Sequence, residues 1–284
     1  MPSAGKRLMR ATWARLPPTA ATYRLAKLLT RTVLRPEGAS AIVDVCCAGR
    51  LTLRVDLADI VGNDVYCMGD HYEAETLALW RVLARDAETI LDLGSHVGLF
   101  ACAAAAVNPH AKILAVEAFH GHAPLLGVNA ARFANVTPVE LAIGVRTGVG
   151  TFRLSPIAGG GYLEDAGSGE SPRTRRRTGR SLAVPTVTLA GLCERHSVGA
   201  ISLMKLDLEG LEHPLLTGQD EFWSRRSPEH VIAEIATARS SGAADPIFDA
   251  MASRGYRWRR LEGLYTVPWF RREDLANWHF WKST

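Results

Sequence analysis

The chain has 284 residues, of which 47% are hydrophobic and 22% are charged, and its formal net charge is +4. A chain of this length and composition can bury the core of one large or two small globular domains, which excludes a fibrous or intrinsically disordered protein. The mild positive charge comes from local clusters and does not by itself indicate nucleic-acid binding, so no nucleic-acid partner is expected.

Cysteine usage and hydropathy indicate the compartment. The chain has five cysteines, two of them adjacent at Cys46 and Cys47, and it contains no C-x-x-C motif. This pattern argues against a disulfide framework and against a structural zinc site. No apolar run reaches the roughly 18–20 residues that cross a bilayer, and the basic N-terminus lacks the apolar core of a secretory signal. The sequence therefore predicts a cytoplasmic protein.

Residues 1–40 are predicted to form a basic helical extension ahead of a main domain over residues 41–284. The segment Met1–Pro36 contains basic residues and no acidic ones, and apolar residues between Thr19 and Leu34 recur at helical spacing. Two interpretations remain open: a solvated helix packed on the domain, which is favoured, and peripheral contact with a membrane surface.

The main domain begins with a predicted hairpin. Residues in Arg50–Leu57 alternate between apolar and polar, which predicts a half-exposed strand. Ile60–Met68 is predicted as its partner, because Gly62-Asn63-Asp64 supplies turn chemistry. A helix over Ala74–Arg85 follows.

A strand, a glycine turn and a helix are predicted over Thr89–Phe100 and the alanine-rich residues after it. The apolar strand ends in Asp92, and Gly94 and Gly98 bracket the turn. Gly94 can adopt positive φ and leaves no Cβ in the way of a ligand. The free N–H groups at the start of the helix suit a carboxylate or phosphate group.

A second apolar strand, Ala111–Val116, ends in Glu117, where an acid could hold the two hydroxyls of a nucleoside ribose. The pattern differs from the dinucleotide fingerprint G-x-G-x-x-G, since Asp92 takes the place of the first glycine and Gly94 and Gly98 are one residue too far apart.

Beyond Glu117 the chain alternates between helices and strands. The predicted segments are a helix at Ala123–Phe133, strands at Val136–Ile143, Gly150–Leu154 and Ala183–Leu189, and a helix at Leu189–His196. Gly159–Arg180 has no apolar periodicity and is predicted to be a mobile loop within the domain. Its arginine run, Arg173–Arg180, is interpreted as a solvated linker in preference to a nucleic-acid or anionic-partner site, because no aromatic residues are interleaved for stacking.

Charged residues follow the apolar strand Ile201–Met204. Lys205, Asp207 and Glu209 alternate with leucines, and a period of two places all three side chains on one face of an extended backbone. Burying them beside the core is costly unless they pair or serve a ligand; an exposed strand end with a Lys–Asp pair is the alternative. Glu234 occupies a similar position in the next strand, Val231–Ile235.

The acids at the strand ends are expected to converge at one crevice of an open α/β sheet. They are Asp92, Glu117, Asp207, Glu209 and Glu234. His120 and His122 flank the same region, but no metal site is predicted from them because no cysteine ligand is nearby.

The last segment, Phe248–Thr284, is predicted to contain a helix and two strands, Tyr256–Arg260 and Leu264–Val267. It is rich in aromatic residues, which suit either the binding of a sugar or polyketide acceptor or the closing strands of a core; both interpretations stay open.

Five motifs in a fixed order carry a family resemblance. They are D-L-G-S-H-V-G from Asp92, the acid Glu117, V-P-T-V-T-L from Val184, K-L-D-L-E-G-L-E from Lys205, and A-E-I from Ala233. Over about residues 64–268 the chain resembles the FkbM family of S-adenosylmethionine-dependent methyltransferases. The resemblance implies a Rossmann-like class I α/β fold with a doubly wound, mostly parallel seven-stranded sheet. The predicted N-terminal helical and β-hairpin extension precedes this sheet, and its basic segment lies outside the resemblance. The resemblance also implies methylation of a hydroxyl on a sugar, glycolipid or polyketide-type secondary metabolite.

The resemblance assigns site residues by position. Cofactor contacts are implied for Tyr72, Asp92, Gly94, Ser95, His96, Gly98, Glu117, Ala142 and Asp207. The turn Glu140–Ala142 would border the adenine. Two positions depart from the family pattern: His96 stands where the family has Asn, and Ala118-Phe119 stand where it has Pro.

Lys205, Asp207, Glu209 and Glu234 are predicted to face the reacting centre. In this hypothesis Asp207 or Glu209 is the base for the acceptor hydroxyl, Lys205 positions the carboxylates, and Glu234 binds an acceptor hydroxyl. A variant has the three carboxylates hold Mg²⁺. Two alternatives of other classes are a nicotinamide-dependent oxidoreductase and a noncatalytic RNA- or membrane-binding module.

Overall fold

The computed structural model describes residues 4–13, 15–16, 25, 28–29, 41–47, 51–154, 161–164, 180–236, 246–261 and 275–282. The helices are α1 Ala4–Trp13, α2 Ile60–Met68, α3 Ala74–Ala84, α4 Leu99–Val107, α5 Ala123–Ala130, α6 Leu189–Arg195, α7 Glu212–Thr217, α8 Asp220–Arg226 and α9 Pro246–Ser253. The strands are β1 Ile42–Cys47, β2 Leu51–Asp56, β3 Thr89–Leu93, β4 Lys112–Glu117, β5 Val136–Glu140, β6 Ala142–Ile143, β7 Gly148–Leu154, β8 Gly161–Glu164, β9 Ser181–Val187, β10 Leu203–Leu206, β11 His230–Ala236, β12 Tyr256–Arg260 and β13 Leu275–Lys282.

A seven-stranded sheet with the order β12-β13-β11-β10-β3-β4-β5 forms the centre of the protein. Strands β11, β10, β3, β4 and β5 run parallel to one another, whereas β13 is antiparallel to both β11 and β12. The chain builds the sheet outward from β3 in one direction and returns at β10 to extend it in the other. This confirms the predicted doubly wound, mostly parallel α/β fold, whose ligand crevice lies where the strand order reverses.

Apolar strands and small helix residues form the core on both faces of this sheet. All four residues of β10 are buried, and so is every residue of β3 after Thr89. Ala101–Ala105 in α4 are buried and their small side chains let the helix lie close to the sheet. The fully buried Trp80 donates its indole N–H to the carbonyl of Phe100 (2.8 Å), so its polar atom is paired as burial requires.

The N-terminal part of the chain contains a helix and a hairpin, as predicted, but the described helix is α1, Ala4–Trp13, and the hairpin pairs differently. The partner of β2 is β1, in antiparallel register, whereas Ile60–Met68 is helical and its prediction as a strand was wrong. Asp59 caps this helix by accepting a hydrogen bond from Gly62 N (2.7 Å). A Cβ at Gly62 would lie 2.2 Å from the carbonyl oxygen of Asp56, so close packing on the hairpin, rather than a turn, requires this glycine.

One further prediction differs from the structure, and two others fall largely outside the described residues. Within Gly159–Arg180, predicted to be a loop, Gly161–Glu164 forms β8 and pairs with β7. The second C-terminal strand is Leu275–Lys282, while the predicted Leu264–Val267 lies outside the described residues. Most of the predicted helix between Thr19 and Leu34 also lies outside them.

Candidate active site

A cleft lies at the carboxyl ends of β3, β4 and β10, where the strand order reverses and where ligands bind in open α/β sheets. Nine of the residues singled out from the sequence line it: Tyr72, Gly94, Ser95, His96, Glu117, Ala142, Lys205, Asp207 and Glu209. The structure therefore brings together residues separated by up to 137 positions (209 − 72) in one cavity wall.

The glycine turn packs directly against β10. Gly94 has a φ of +85°, and a Cβ at this position would lie 1.9 Å from the carbonyl oxygen of Asp207. The backbone N–H groups of Gly94 and Ser95 both donate to the carbonyl of Val116 (2.9 Å each), which fixes the turn against β4 as well. Only glycine satisfies both the positive φ and the close approach.

Asp92 and Gly98 lie beneath the turn and are not among the described residues that line the cleft. Asp92 Oδ2 accepts hydrogen bonds from Ser95 Oγ (2.5 Å) and Ala101 N (2.9 Å). Burial raises the pKa of Asp92, although the nearby Lys205 charge opposes this. Both residues thus hold the turn in shape, and their direct contact with a cofactor stays a prediction.

Glu117 presents an ionised carboxylate to the cleft. Its Oε2 accepts from His96 N and its Oε1 accepts from Phe119 N, both at 2.8 Å. Burial alone would raise the pKa of Glu117, but the hydrogen bond and charge of His122 lower it below its usual value. Because carboxylate oxygens accept further hydrogen bonds, this group can bind the paired hydroxyls of a ribose.

Lys205 and Asp207 form an ion pair at the wall of the cleft. Lys205 Nζ lies 2.6 Å from Asp207 Oδ2 and 4.5 Å from the centre of the Phe100 ring. The lysine side chain is 3% exposed and the aspartate 28%, so the carboxylate faces the cleft while the ammonium lies behind it. Burial lowers the pKa of Lys205, but the charges of Asp207, Glu73 and Asp92 raise it, so the lysine is cationic.

The three predicted catalytic acids meet beside this pair. One carboxylate oxygen from each of Asp207, Glu209 and Glu234 lies within 4.8 Å of the others. Glu209 is exposed and has a φ of +56°, and Glu234 is half-buried on β11 just outside the cleft lining. The structure thus places the acids of β10 and β11 close enough to act on one substrate group.

Glu212 holds the loop that carries these acids, a role that the sequence analysis did not assign. The buried Glu212 carboxylate accepts hydrogen bonds from Leu208 N (2.5 Å) and Gly210 N (2.9 Å). Burial raises the pKa of Glu212 to about 7 despite these bonds. A glutamate two residues after a glycine at a strand end is the signal that could have identified it.

Other residues of the cleft were missed because tertiary structure brings them in. Phe152 and Leu163, from the four-stranded sheet β6-β9-β7-β8, and Glu73, at the start of α3, line it. By contrast, the described C-terminal aromatics pack elsewhere: Tyr256 and Phe280 lie in the core, and none of the described aromatics after Phe248 lines the cleft.

His122 lies between Glu117 and Asp59, the residue that caps α2. Its imidazole lies 3.6 Å from Glu117 Oε1 through Nδ1 and 3.7 Å from Asp59 Oδ1 through Nε2. Burial alone would lower the pKa of His122, but the adjacent carboxylates of Asp59 and Glu117 raise it to about 9. Asp59 also lies 3.3 Å from His96 Nε2, and was not singled out from the sequence.

Residues 92–258, more than half of the chain, match the Methyltransferase FkbM domain family. The chain belongs to the FkbM methyltransferase family. It is therefore an S-adenosylmethionine-dependent methyltransferase, as the sequence resemblance implies, and the family decides against the nicotinamide-dependent oxidoreductase and the noncatalytic binding module.

Several solved structures are similar to this FkbM methyltransferase, including the three that follow. Precorrin-6y C5,15-methyltransferase from Geobacter metallireducens GS-15 is 14% identical, with 73% of this chain and 89% of that chain covered and a TM-score of 0.41. M. jannaschii TYW2 in complex with AdoMet is 11% identical (89% and 90% covered, TM-score 0.44). The O-methyltransferase TomG from Streptomyces achromogenes in complex with SAM is 10% identical (75% and 81%, TM-score 0.42).

Among curated proteins, none matches this FkbM methyltransferase. No helix in the described part of the chain has the length and apolar character that a membrane-spanning segment needs.

Proposed function

We propose that this protein methylates a hydroxyl group of a sugar, glycolipid or polyketide-type secondary metabolite. The observation that carries this proposal is the cluster of Asp207, Glu209 and Glu234 at the cleft, next to the buried Lys205. A hydroxyl acceptor must lose a proton as it is methylated, and the cluster supplies carboxylates where that proton can go.

The residues of the cleft fit S-adenosylmethionine. Gly94 lines the cleft, where the absence of a side chain lets the turn pack against Asp207, and Glu117 offers a carboxylate for the ribose hydroxyls. Tyr72, Ser95, His96 and Ala142 line the rest of the proposed cofactor subsite. When bound, the cofactor would supply a methyl group attached to a sulfonium; the bond from sulfur to the methyl carbon breaks as the acceptor oxygen bonds to that carbon, and the sulfonium is left as a neutral thioether.

Asp207 is the proposed base, and its carboxylate takes the hydroxyl proton. The Lys205 ammonium, 2.6 Å from Asp207 Oδ2, fixes the carboxylate and leaves Oδ1 for the acceptor. Glu209 is the second candidate for this role because it also lines the cleft. Glu234, on the outer side of the cluster, is proposed to bind a further hydroxyl of the acceptor and so to orient it.

Incubation with S-adenosylmethionine and a panel of sugars, glycolipids and polyketides tests the acceptor class. We expect one acceptor to gain a methyl mass on oxygen, with one S-adenosylhomocysteine formed for each methyl transferred. Mass spectrometry with fragmentation locates the methyl group, and the same acceptor lacking that hydroxyl is the control. Methylation of a nitrogen or carbon atom would contradict the proposal.

We expect turnover to change less than about twofold when Mg²⁺ is withheld, because the Lys205 ammonium already neutralises Asp207 and a carboxylate base needs no metal. Initial rates are compared before and after treatment with EDTA, followed by separate addition of Mg²⁺ and Zn²⁺. A loss that Mg²⁺ alone reverses would instead place Mg²⁺ on the three carboxylates.

A further inference from the structure

Two histidines and an aspartate meet beside the Glu117 subsite, on segments that are far apart in the sequence. Asp59 precedes α2, His96 lies in the glycine turn with a φ of +54°, and His122 precedes α5. The exposed fraction of the side chain is 11% for Asp59, 17% for His96 and 9% for His122. The mechanism proposed above gives no task to Asp59 or His122, and it has His96 only line the cofactor subsite.

The polar atoms of this cluster are close together but poorly hydrogen-bonded. His96 Nε2 lies 3.3 Å from Asp59 Oδ2, and His122 Nε2 lies 3.7 Å from Asp59 Oδ1, both longer than the usual hydrogen-bond range of roughly 2.7–3.2 Å. Asp59 Oδ1 and both ring nitrogens of His96 are buried and have no hydrogen-bond partner among the described residues. Such atoms are costly to bury unless something else binds them.

The same spacing suits a metal ion. One ligand atom from each of Asp59, His96 and His122 lies within 4.8 Å of the other two. In tetrahedral zinc sites, bonds of about 2.0–2.2 Å place neighbouring ligand atoms roughly 3.3–3.6 Å apart. The two imidazoles lie at similar distances from Asp59, His96 Nε2 at 3.3 Å from Oδ2 and His122 Nε2 at 3.7 Å from Oδ1. Imidazole nitrogens with one carboxylate oxygen are a common ligand set for Zn²⁺.

Glu117 completes the environment of such an ion. His122 Nδ1 faces Glu117 Oε1 at 3.6 Å while its Nε2 faces Asp59. Zinc-bound histidines ordinarily direct their second ring nitrogen to a carboxylate or carbonyl in this way. The partly buried Asp59 and the buried Glu117 also carry a combined charge that a divalent cation would neutralise.

We propose that Asp59, His96 and His122 bind one Zn²⁺ ion, with Glu117 fixed through His122. Three protein ligands leave a fourth position for water. The ion joins α2, the glycine turn and α5, and Asp59 lies outside the family-matched residues 92–258. Any effect of the ion on cofactor affinity would act through Glu117 and so rests on the proposed function, whereas the metal site itself does not depend on that function.

The test measures metal binding by the full chain without cofactor or acceptor. The protein is stripped with EDTA, the chelator is removed, and Zn²⁺ is titrated in competition with a chromophoric chelator. We expect one Zn²⁺ per chain, and Co²⁺ in its place should give the visible absorption of a four-coordinate site. Because methyl transfer plays no part in this assay, failure of the proposed function would leave the result unaffected.

Matched variants locate the site. D59N, H96N and H122Q should each weaken Zn²⁺ binding by at least about 100-fold, and E117Q by about 10–100-fold, as expected for an outer partner. H120Q is the control, because His120 is exposed and lies two residues from His122; it should bind Zn²⁺ like the wild type. D59N keeps the side-chain oxygen that caps α2, so it tests the site even where a histidine variant fails to fold.

The proposal is overturned if the wild type binds no stoichiometric Zn²⁺, or if folded D59N retains wild-type affinity. Equal losses in H120Q and H122Q would also overturn it. Each of these three outcomes would instead indicate that His122 is an imidazolium held between the carboxylates of Asp59 and Glu117.

Discussion

Replacement of Asp207 by asparagine is expected to lower turnover by about 10²- to 10⁴-fold, the range usually lost with a general base. Asn has nearly the same shape, and its side-chain oxygen can still accept from Lys205 Nζ, now 2.6 Å from the carboxylate. Glu73 and Asp92 remain to balance the buried lysine charge. We therefore expect the variant to fold and to bind S-adenosylhomocysteine with near wild-type affinity.

The measurement pairs single-turnover kinetics with calorimetry of S-adenosylhomocysteine binding. Asp220→Asn is the matched control, because Asp220 is almost fully exposed and its contact is with Arg254, and its turnover should be unchanged. Near-normal turnover of the Asp207 variant would assign the base to Glu209, which E209Q then tests. A loss of binding as large as the loss of turnover would make Asp207 a cofactor ligand.

Replacement of Gly94 by alanine is expected to destabilise the fold by roughly 3 kcal/mol or more and to abolish cofactor binding. The left-handed backbone costs an alanine about 1–2 kcal/mol, and overpacking adds about 1–3 kcal/mol. The second contribution is large here because the new Cβ would lie 1.9 Å from a backbone oxygen, that of Asp207, which cannot rotate away. Urea denaturation and S-adenosylhomocysteine titration measure the two effects.

Gly255 offers a control for Gly94. Its φ of +83° nearly equals the +85° of Gly94, but a Cβ at Gly255 would meet nothing within 4 Å. Gly255→Ala should therefore show only the backbone cost of about 1–2 kcal/mol. If both variants are destabilised equally, the close approach of the turn to β10 contributes nothing to stability.

Features that depend on local periodicity could be predicted from the sequence. The alternation of Lys205, Asp207 and Glu209 with leucines placed three charged groups on one face, and the structure brings Asp207 and Glu209 to the cleft beside Lys205. Glu117, at the end of the adjacent strand, was predicted in the same way, because parallel strands carry their carboxyl ends to a common edge.

Features that depend on tertiary contacts could not be predicted from the sequence. Ile60–Met68 has glycine and asparagine in a turn-like order, but an N-cap and packing on the hairpin make it helical. The absence of cysteine near His122 argued against a metal, whereas the ligands now proposed, Asp59 and His96, come from 63 and 26 positions upstream (122 − 59 and 122 − 96). No spacing within one segment reveals such a group.

The cleft draws part of its wall from ahead of the family-matched residues, since Val61, Tyr72 and Glu73 all line it. A fragment beginning at residue 92 would therefore lack the cleft wall that these residues form. A chimera between relatives would for the same reason have to carry α2 and the residues that precede α3 along with the sheet. In this protein the segment ahead of residue 92 is therefore a structural part of the cleft and not a separate appendage.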